Sequence, residues 1–388
     1  MAMKTNRSLQ SILACVGAGS LLIYVLACAT SFSPDDRQVL YPSFDPQSGA
    51  SAVALYDRET GRSEILFSAA ETAAKTNSHS ALIRAGWLPD GKHILIASAA
   101  GDDGLDLLVL PRGVKEPVRR LAISENKLKE EALEYPFTIS GNLLFLNGEK
   151  RNPLRIDLVT GETAGGSETT NEIVVLPSPD GKSIAAFRGQ NGGSGTEFGT
   201  FDPQTMEFKP LGSVGTNVSN DTMPAFNPAD GRVLFVGKAG EQLRLEIYKD
   251  GKNEFTRPLA RGGDTLEAGP FLDFAPDGKT ILTVYCATRA STTNSEYGLL
   301  EIPLSDAPLR FTPLFQVKNN KDADLLFAQP AVSHDGKTWA FGTACLYLQN
   351  ESLTPEDCAL FLVDLSRAKR PVTKVPIPAP AERNRPVQ

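Results

Sequence analysis

Short apolar runs alternate with polar turns along nearly the whole chain, and the turns repeat. In each unit an apolar or aromatic residue precedes a turn built on Asp-Gly, and a second apolar run follows it. The turns recur about every 40 to 58 residues, which is typical of one supersecondary unit repeated along a chain. Five copies are clear: Leu88-Pro89-Asp90-Gly91, Ser178-Pro179-Asp180-Gly181, Asn227-Pro228-Ala229-Asp230-Gly231, Ala275-Pro276-Asp277-Gly278 and Ser333-His334-Asp335-Gly336. Two are weaker: Ser33-Pro34-Asp35-Asp36 and Ile139-Ser140-Gly141.

The apolar runs that follow these turns predict the second strand of each unit. They are 39–41, 94–96, 143–146, 184–187, 233–236, 281–285 and 338–341. Third and fourth strands follow, joined by further polar turns such as those at 57–61 and 157–161. Short apolar segments interrupted about every 10 residues favour antiparallel β-structure. Only Ser124–Glu134 is predicted to be helical, with Ser124 as its cap.

The period predicts an all-β chain that forms a single β-propeller over residues 29–375. A four-stranded blade has about this length, so seven blades fit, and six remain the alternative if the copy at Ser33 is not a full blade. The Asp and Gly residues of the turns are interpreted as turn formers, because catalysis needs one site rather than one per blade. They are Asp35, Asp90, Gly91, Gly141, Asp180, Gly181, Asp230, Gly231, Asp277, Gly278, Asp335 and Gly336.

The pattern aromatic-Ser-Pro-Asp-Gly-Lys-apolar resembles the WD-like repeat of TolB-like periplasmic propellers. It is also similar to the propeller domains of prolyl-oligopeptidase-type enzymes. The resemblance covers nearly the whole body of the chain and implies a propeller fold, but it indicates almost nothing about activity. At 388 residues we expect neither the extra α/β domain of the Tol-system propellers nor a hydrolase domain.

Residues 1–28 are predicted to be a targeting segment. Lys4 and Arg7 precede an uncharged stretch, and Val25-Leu26-Ala27-Cys28 resembles a bacterial lipoprotein signal in which Cys28 is lipidated. An uncleaved membrane anchor and a plain cleaved signal remain open. All three place the body in the cell envelope, on the periplasmic or extracellular side. The proline-rich tail 376–388 is predicted to be disordered.

Cysteine usage fits an oxidising compartment. Cys345 ends one predicted strand and Cys358 begins the next, so we predict a disulfide between them. In the chain-entropy model a loop of that size contributes about 3 kcal/mol of stability. Cys286 is left over and is interpreted as a small buried apolar residue.

The two faces of the predicted propeller differ. The tight-turn face carries the first-to-second and third-to-fourth connections of the blades. The long-loop face carries the others, which are longer: 68–82, 123–136, 189–196, 287–295 and 346–357. Because loops on a rigid scaffold often carry function, we predict that binding uses the long-loop face and the mouth of the channel. If 29–32 form an inner strand, the anchor emerges beside the channel; alternatively, 372–377 close the ring.

The candidate chemistry is sparse. A formal charge of −7 argues against nucleic acid as the partner. The three histidines, His79, His93 and His334, fall in different blades or faces, so we expect no metal, and no cofactor motif is present. The sequence therefore favours a non-enzymatic scaffold that binds another envelope protein through the long-loop face. A lyase, lactonase or glycan hydrolase with a site at the channel mouth is one alternative, and a structural subunit of an envelope complex is another.

Overall fold

A computed structural model describes residues 25–378, apart from gaps. The gaps are 71–82, 100–104, 124–136, 148–151, 168, 170–172, 178–183, 190–195, 215–218, 221–224, 228–229, 231, 240–241, 251, 270, 276–277, 290–293, 319–326, 345–352 and 355–356. The chain is a seven-bladed β-propeller of antiparallel sheets, as the repeat predicts, and the six-blade alternative is wrong. The predicted helix at 124–134 lies outside the described residues.

Each blade is built from one continuous segment of chain, with its first strand innermost. The first described strand is β1 (Val25–Ala29), which belongs to no blade. Blade 1 has β2 (Ser31–Phe32), β3 (Gln38–Phe44), β4 (Ser51–Asp57) and β5 (Arg62–Ser68). Blade 2 has β6 (Ile83–Trp87), β7 (His93–Ala99), β8 (Leu105–Pro111) and β9 (Arg119–Ile123). Blade 3 has β10 (Thr138–Ser140), β11 (Leu143–Leu146), β12 (Leu154–Asp157) and β13 (Thr163–Gly165).

The remaining blades continue this order around the ring. Blade 4 has β14 (Ile173–Pro177), β15 (Ile184–Gly189), β16 (Thr196–Phe201) and β17 (Phe208–Val214). Blade 5 has β18 (Ser219–Asn220), β19 (Ala225–Asn227), β20 (Arg232–Ala239), β21 (Gln242–Lys249) and β22 (Lys252–Pro258). Blade 6 has β23 (Asp264–Ala268), β24 (Asp273–Phe274), β25 (Thr280–Arg289), β26 (Ser295–Pro303) and β27 (Arg310–Val317). Next comes β28 (Phe327–Gln329), and blade 7 has β29 (Ala331–Val332), β30 (Thr338–Gly342), β31 (Ala359–Asp364) and β32 (Val372–Pro376).

The core consists of apolar clusters between blades. Seven clusters each combine residues of two neighbouring blades, so every junction of the ring is covered, including the junction between blade 7 and blade 1. Side chains of a strand alternate between the two faces of the sheet, and each face packs on a different neighbour. At the junction of blades 6 and 7, Trp339 and Phe341 stack with ring centroids 5.8 Å apart, and Trp339 is fully buried. Trp339 therefore has the packing role that its place in the repeat predicts.

The first described strands of the chain lie at the channel. β1 pairs with β28 in parallel, with Ala29 opposite Gln329, and β2 continues from β1 as the innermost strand of blade 1. The arrangement with 29–32 at the inner strand is thus the one observed. The alternative, in which 372–377 close the ring, is wrong, because β32 is the outermost strand of blade 7 and pairs with β31.

The long-loop face is less uniform than the sequence predicts. In blade 6 the second and third strands extend into the predicted loop 287–295, since Thr288 pairs with Ser295. Blade 1 has a tight connection on this face, where the Gly49 amide donates to the Asp45 carbonyl oxygen at 2.7 Å. The long connections are therefore a property of some blades only.

Candidate functional site

The β25–β26 hairpin of blade 6 is the most extended part of the long-loop face that the structure describes. β25 has 10 residues, and its ladder with β26 has nine pairs, from Thr280–Pro303 to Thr288–Ser295. The corresponding ladder of blade 3 has four pairs. The β20–β21 ladder of blade 5, with eight pairs, is the next longest, so the blade 6 hairpin extends one pair, roughly 3.3 Å, beyond it. The end of this hairpin is the candidate site.

A group of four side chains, the rim cluster, supports the hairpin: Arg261, Tyr285, Glu296 and Phe311. Arg261 lies in the connection from blade 5 to blade 6, and its guanidinium forms an ion pair with Glu296. The Tyr285 hydroxyl donates to the same carboxylate at 2.6 Å. The Arg261 guanidinium also lies 5.3 Å from the centres of both the Tyr285 and Phe311 rings, which meet edge to face. A charge-assisted network with cation–π contacts holds this end of blade 6 rigid.

The rim cluster keeps its ordinary charge states. Burial by itself would raise the pKa of Glu296, but hydrogen bonds from Tyr285 and Arg261 more than offset it and leave that pKa below its usual value. Burial and the neighbouring Glu296 carboxylate raise the pKa of Tyr285 far above its usual value. A carboxylate that stays ionised and a phenol that stays protonated are poor general acid–base groups near neutral pH. The cluster therefore positions the hairpin.

Asp273 of β24 lies in the innermost strand of blade 6, in the wall of the channel. The residue is half-buried, between Leu272, which is 7% exposed, and the partly buried Phe274. This burial raises the pKa of Asp273 from 3.8 to about 7. A carboxyl group with that pKa can both donate and accept a proton near neutral pH. Sequence reasoning missed it, although Asp273 stands between the apolar residues Leu272 and Phe274 rather than in a turn.

Two other buried carboxylates are held in ion pairs. Glu246, 3% exposed, pairs with Arg244 and accepts the Tyr248 hydroxyl at 2.6 Å. Glu301, 5% exposed, accepts from the guanidinium of Arg370 at 2.7 Å. A buried charge with satisfied partners is an ordinary structural element of a core. Both groups are interpreted as structural.

The described repeat turns show how their glycines and aspartates are held, and their interpretation as turn formers stays a prediction. Gly91, Gly141, Gly278 and Gly336 have φ between +58° and +67°, a conformation that glycine adopts without steric cost. In the third-to-fourth turns, backbone amide donors lower the pKa values of Asp157 (chiefly Thr160) and Asp202 (chiefly Thr205). The described Asp-Gly turn residues are Asp35, Asp90, Gly91, Gly141, Asp230, Gly278, Asp335 and Gly336; Asp180, Gly181, Gly231 and Asp277 lie outside the described residues.

An arginine belt joins neighbouring blades on the tight-turn face, and sequence reasoning missed it. The guanidinium of each arginine reaches from its own blade to an acceptor in the next or the preceding blade. Most of these acceptors are backbone carbonyl oxygens. Arg119 donates to the Leu158 carbonyl at 2.6 Å, and Arg155 donates to the Gln204 carbonyl at 2.7 Å. The belt comprises Arg112, Arg119, Arg155, Arg257 and Arg370. This face is therefore occupied by contacts that hold the ring together.

The described residues do not test the predicted disulfide between Cys345 and Cys358. Cys358 has a free, buried thiol, and burial raises its pKa to about 12. Its predicted partner Cys345 lies outside the described residues. Cys286 is 1% exposed in the core between blades 6 and 7, as a small apolar residue would be. The pairing of Cys345 with Cys358 stays a prediction, which intact-mass measurement with and without a reductant checks.

The targeting segment lies largely outside the described residues. Residues 1–24 are among the gaps, and Cys28 falls within β1, so its lipidation stays a prediction. In the described part of the chain, no helix has the length and apolarity needed to cross a membrane. Across the same residues, no three His, Cys, Asp or Glu side chains group as metal ligands do. His93 pairs instead with Asp90, and His334 with Asp36.

The fold defines the class of protein, a seven-bladed β-propeller, and comparisons with known proteins agree with it. No protein-family model and no curated protein matches the sequence. A prolyl endopeptidase structure is similar over 92% of this chain and 51% of its own, with 12% identity and a TM-score of 0.54. The chain thus spans about half the length of that enzyme.

Two further solved structures are similar at lower scores. An oligogalacturonate lyase in complex with manganese is similar over 88% of this chain and 85% of its own, with 12% identity and a TM-score of 0.49. TolB from Acinetobacter baumannii is similar over 85% of this chain and 61% of its own, with 16% identity and a TM-score of 0.43.

Proposed function

We propose that the protein is a non-enzymatic binding platform of the bacterial cell envelope, and that it holds a protein partner at the end of the β25–β26 hairpin. The observation that carries the proposal is this hairpin: it is the longest described ladder of the ring, and the rim cluster supports it. A rigid projecting edge binds without first having to be ordered, which lowers the entropy cost of association.

The side chains at the end of the hairpin support a protein partner. Arg289 and Lys318 are exposed there, next to the Thr288 and Ser295 hydroxyls, which lie 2.9 Å apart. Arginine and lysine side chains at the edge of an interface form hydrogen bonds and steer the approach of an oppositely charged surface. The tight-turn face offers less, because its arginines already contact neighbouring blades.

Recovery of a partner from a native envelope extract tests the proposal. The wild-type protein, the rim variant Arg289→Glu/Lys318→Glu and the control Lys92→Glu/Lys115→Glu serve as baits. Lys92 and Lys115 are exposed on the tight-turn face of blade 2, so both double variants change the charge equally. We expect the rim variant to recover at least about 10-fold less partner, equivalent to 1.4 kcal/mol, and the control to match the wild type. Equal recovery by all three baits would contradict a site at the rim.

Membrane tethering through Cys28 is the second part of the proposal. The first strand of a blade runs from the long-loop face toward the tight-turn face, so the start of β1 lies at the long-loop end of the channel. A lipid on Cys28 would hold that face near the membrane. Cys28→Ser followed by membrane fractionation tests this. A variant with unchanged gel mobility and membrane association would show an uncleaved anchor instead.

A channel enzyme is the second candidate, and Asp273 is the observation that favours it. Its carboxyl group has a pKa of about 7 and lies in the channel wall, where several propeller blades could contribute further groups. Turnover of a panel of glycan, lactone and uronate substrates that is lost in Asp273→Asn, with the fold unchanged, would establish this function over the scaffold.

A further inference from the structure

The junction between blade 1 and blade 7 differs from the other six, because the two ends of the chain meet there without sharing a sheet. Blade 1 is formed by β2–β5 and blade 7 by β29–β32, each from one continuous segment. Among the residues that the structure describes, no backbone ladder within a blade joins the first blade to the last. Closure of the ring therefore depends on contacts between the two blades and on the short β1–β28 pair.

The turns on either side of this junction both depart from the repeat. The residue after the turn aspartate is glycine in the five clear copies, but it is Asp36 in the first copy. The second turn residue is proline in the other Asp-Gly copies, but it is His334 in the last. Asp36 has φ of +56°, close to the +64° of Gly91 and the +67° of Gly336. A non-glycine residue in this conformation is sterically unfavourable, so the aspartate needs a compensating contact.

Asp36 and His334, the two residues that depart from the repeat, contact each other. Asp36 Oδ1 accepts the backbone N–H of His334 at 2.8 Å and lies 2.8 Å from His334 Nδ1. Asp36 Oδ2 accepts the backbone N–H of Asp335 at 2.8 Å. The Asp36 side chain is only 13% exposed. Proline has no N–H, so the carboxylate finds its first donor only because histidine replaces proline. Hydrogen bonds from backbone amides to a carboxylate are among the strong ones.

The neighbouring junction has the same geometry without the contact. A Cβ built on Gly91, the fourth residue of the blade 2 turn, would lie 3.5 Å from Cγ of Pro34, the second residue of the blade 1 turn. Position two of one turn therefore faces position four of the next around the ring. At that junction glycine offers no acceptor and proline no donor.

We propose that Asp36 and His334 form a clasp that closes the propeller ring, and that these two departures from the repeat are complementary halves of one device. Arg58 reinforces the clasp by donating to the Asp36 carbonyl at 2.7 Å and to the Thr338 hydroxyl at 2.8 Å. Toward the channel, Thr30 donates its amide to the Gln329 carbonyl and accepts the Gly342 amide through its hydroxyl. The junction is thus held from the tight-turn face to the channel.

The substitution Asp36→Gly distinguishes the clasp from an ordinary turn. Glycine is the residue of the repeat and relieves the positive φ, so a turn without a clasp would become more stable. The clasp predicts the opposite: a lower urea midpoint, with the amides of His334 and Asp335 exchanging at least about 10-fold faster. Gly91→Asp is the matched control, since it places the same carboxylate opposite a proline; it should destabilise the protein without protecting any amide.

A double-variant cycle measures the coupling. His334→Pro restores the residue of the repeat and removes the same contact, so Asp36→Gly/His334→Pro should lose no more stability than the worse single variant. Asp36→Asn keeps one acceptor oxygen, so we expect an intermediate loss of stability. This variant takes the place of Asp36→Gly in the test if the glycine variant fails to fold. An unchanged or higher midpoint for Asp36→Gly, or single losses that simply add, would overturn the clasp.

Discussion

At the scale of single residues, the environment of Asp273 sets its chemistry more than its sequence neighbours do. The carboxyl group lies in the channel wall, and burial raises its pKa from 3.8 to about 7. The aspartates of the third-to-fourth turns shift the other way, because backbone amides donate to them. The same residue type is thus a turn former on one face and a titrating group in the channel.

Asp273→Asn should flatten the pH dependence of stability between about pH 4 and pH 7. Because the pKa is raised on folding, the folded state binds more protons than the unfolded state in this window. The stability that Asp273 contributes is thus fully present at pH values below its pKa in the unfolded state. It is lost as the pH rises through its pKa in the folded state. We expect the variant to gain on the order of 1–2 kcal/mol at pH 8, an amount reduced by partial exposure, and nothing at pH 4. Urea unfolding of both proteins from pH 4 to pH 8 checks this, and parallel curves would contradict it.

Gly298→Ala should destabilise the protein by about 2–4 kcal/mol. A Cβ there would lie 2.2 Å from the Thr312 carbonyl oxygen and 2.7 Å from Tyr285 Cε1, at the bulge between β26 and β27. The substitution would also displace Tyr285 from the rim cluster. Gly263→Ala is the control, because its Cβ meets nothing within 4 Å, and we expect a change below about 0.5 kcal/mol. Equal urea midpoints for the two variants would disprove the close approach.

At the scale of elements, the arginine belt links neighbouring blades at five of the seven junctions of the ring. Arg370, in the turn between β31 and β32, donates to Glu301 of blade 6 and to carbonyl oxygens of its own turn. It therefore fixes both the turn and the neighbouring blade. Arg257 of β22 links blades 5 and 6 by donating to the Pro303 and Ser305 carbonyls at 2.6 Å.

Arg370→Met should cost about 3 kcal/mol of unfolding free energy, because it leaves the buried Glu301 carboxylate without its nearest partner. Arg367→Met, three residues earlier, is the matched control: its side chain is 74% exposed and pairs only with Asp364. That change should cost less than about 0.5 kcal/mol. Chemical unfolding of both variants checks the difference, and a similar loss in each would show that the belt is a surface feature.

The sequence predicts the strands and turns well, because both are encoded locally. The apolar runs at 94–96 and 233–236 are second strands as expected, and Gly91 has the positive φ that its turn requires. The belt could not be predicted, since its acceptors are mostly carbonyl oxygens, which every residue has. The length of the β25–β26 hairpin was also missed, because Thr288 and Ser295 are ordinary loop residues by composition.

At the scale of the whole molecule, the two faces of the ring have different roles. The tight-turn face carries the described repeat turns, which connect strands within a blade, and the belt and the clasp at Asp36, which join blades. The long-loop face carries the projecting hairpin of blade 6, with its exposed basic side chains. The apolar clusters at all seven junctions make the body a single rigid support for that hairpin.

The most direct test of the account is site-specific photo-crosslinking in cells that produce the protein with its native envelope. A crosslinking residue is placed at Lys318, on the rim of blade 6, and in a second strain at Lys92, on the tight-turn face. The account predicts a discrete crosslinked protein from Lys318 and none from Lys92. A crosslink from Lys92 alone, or none from either position, would contradict a binding platform that uses the long-loop face.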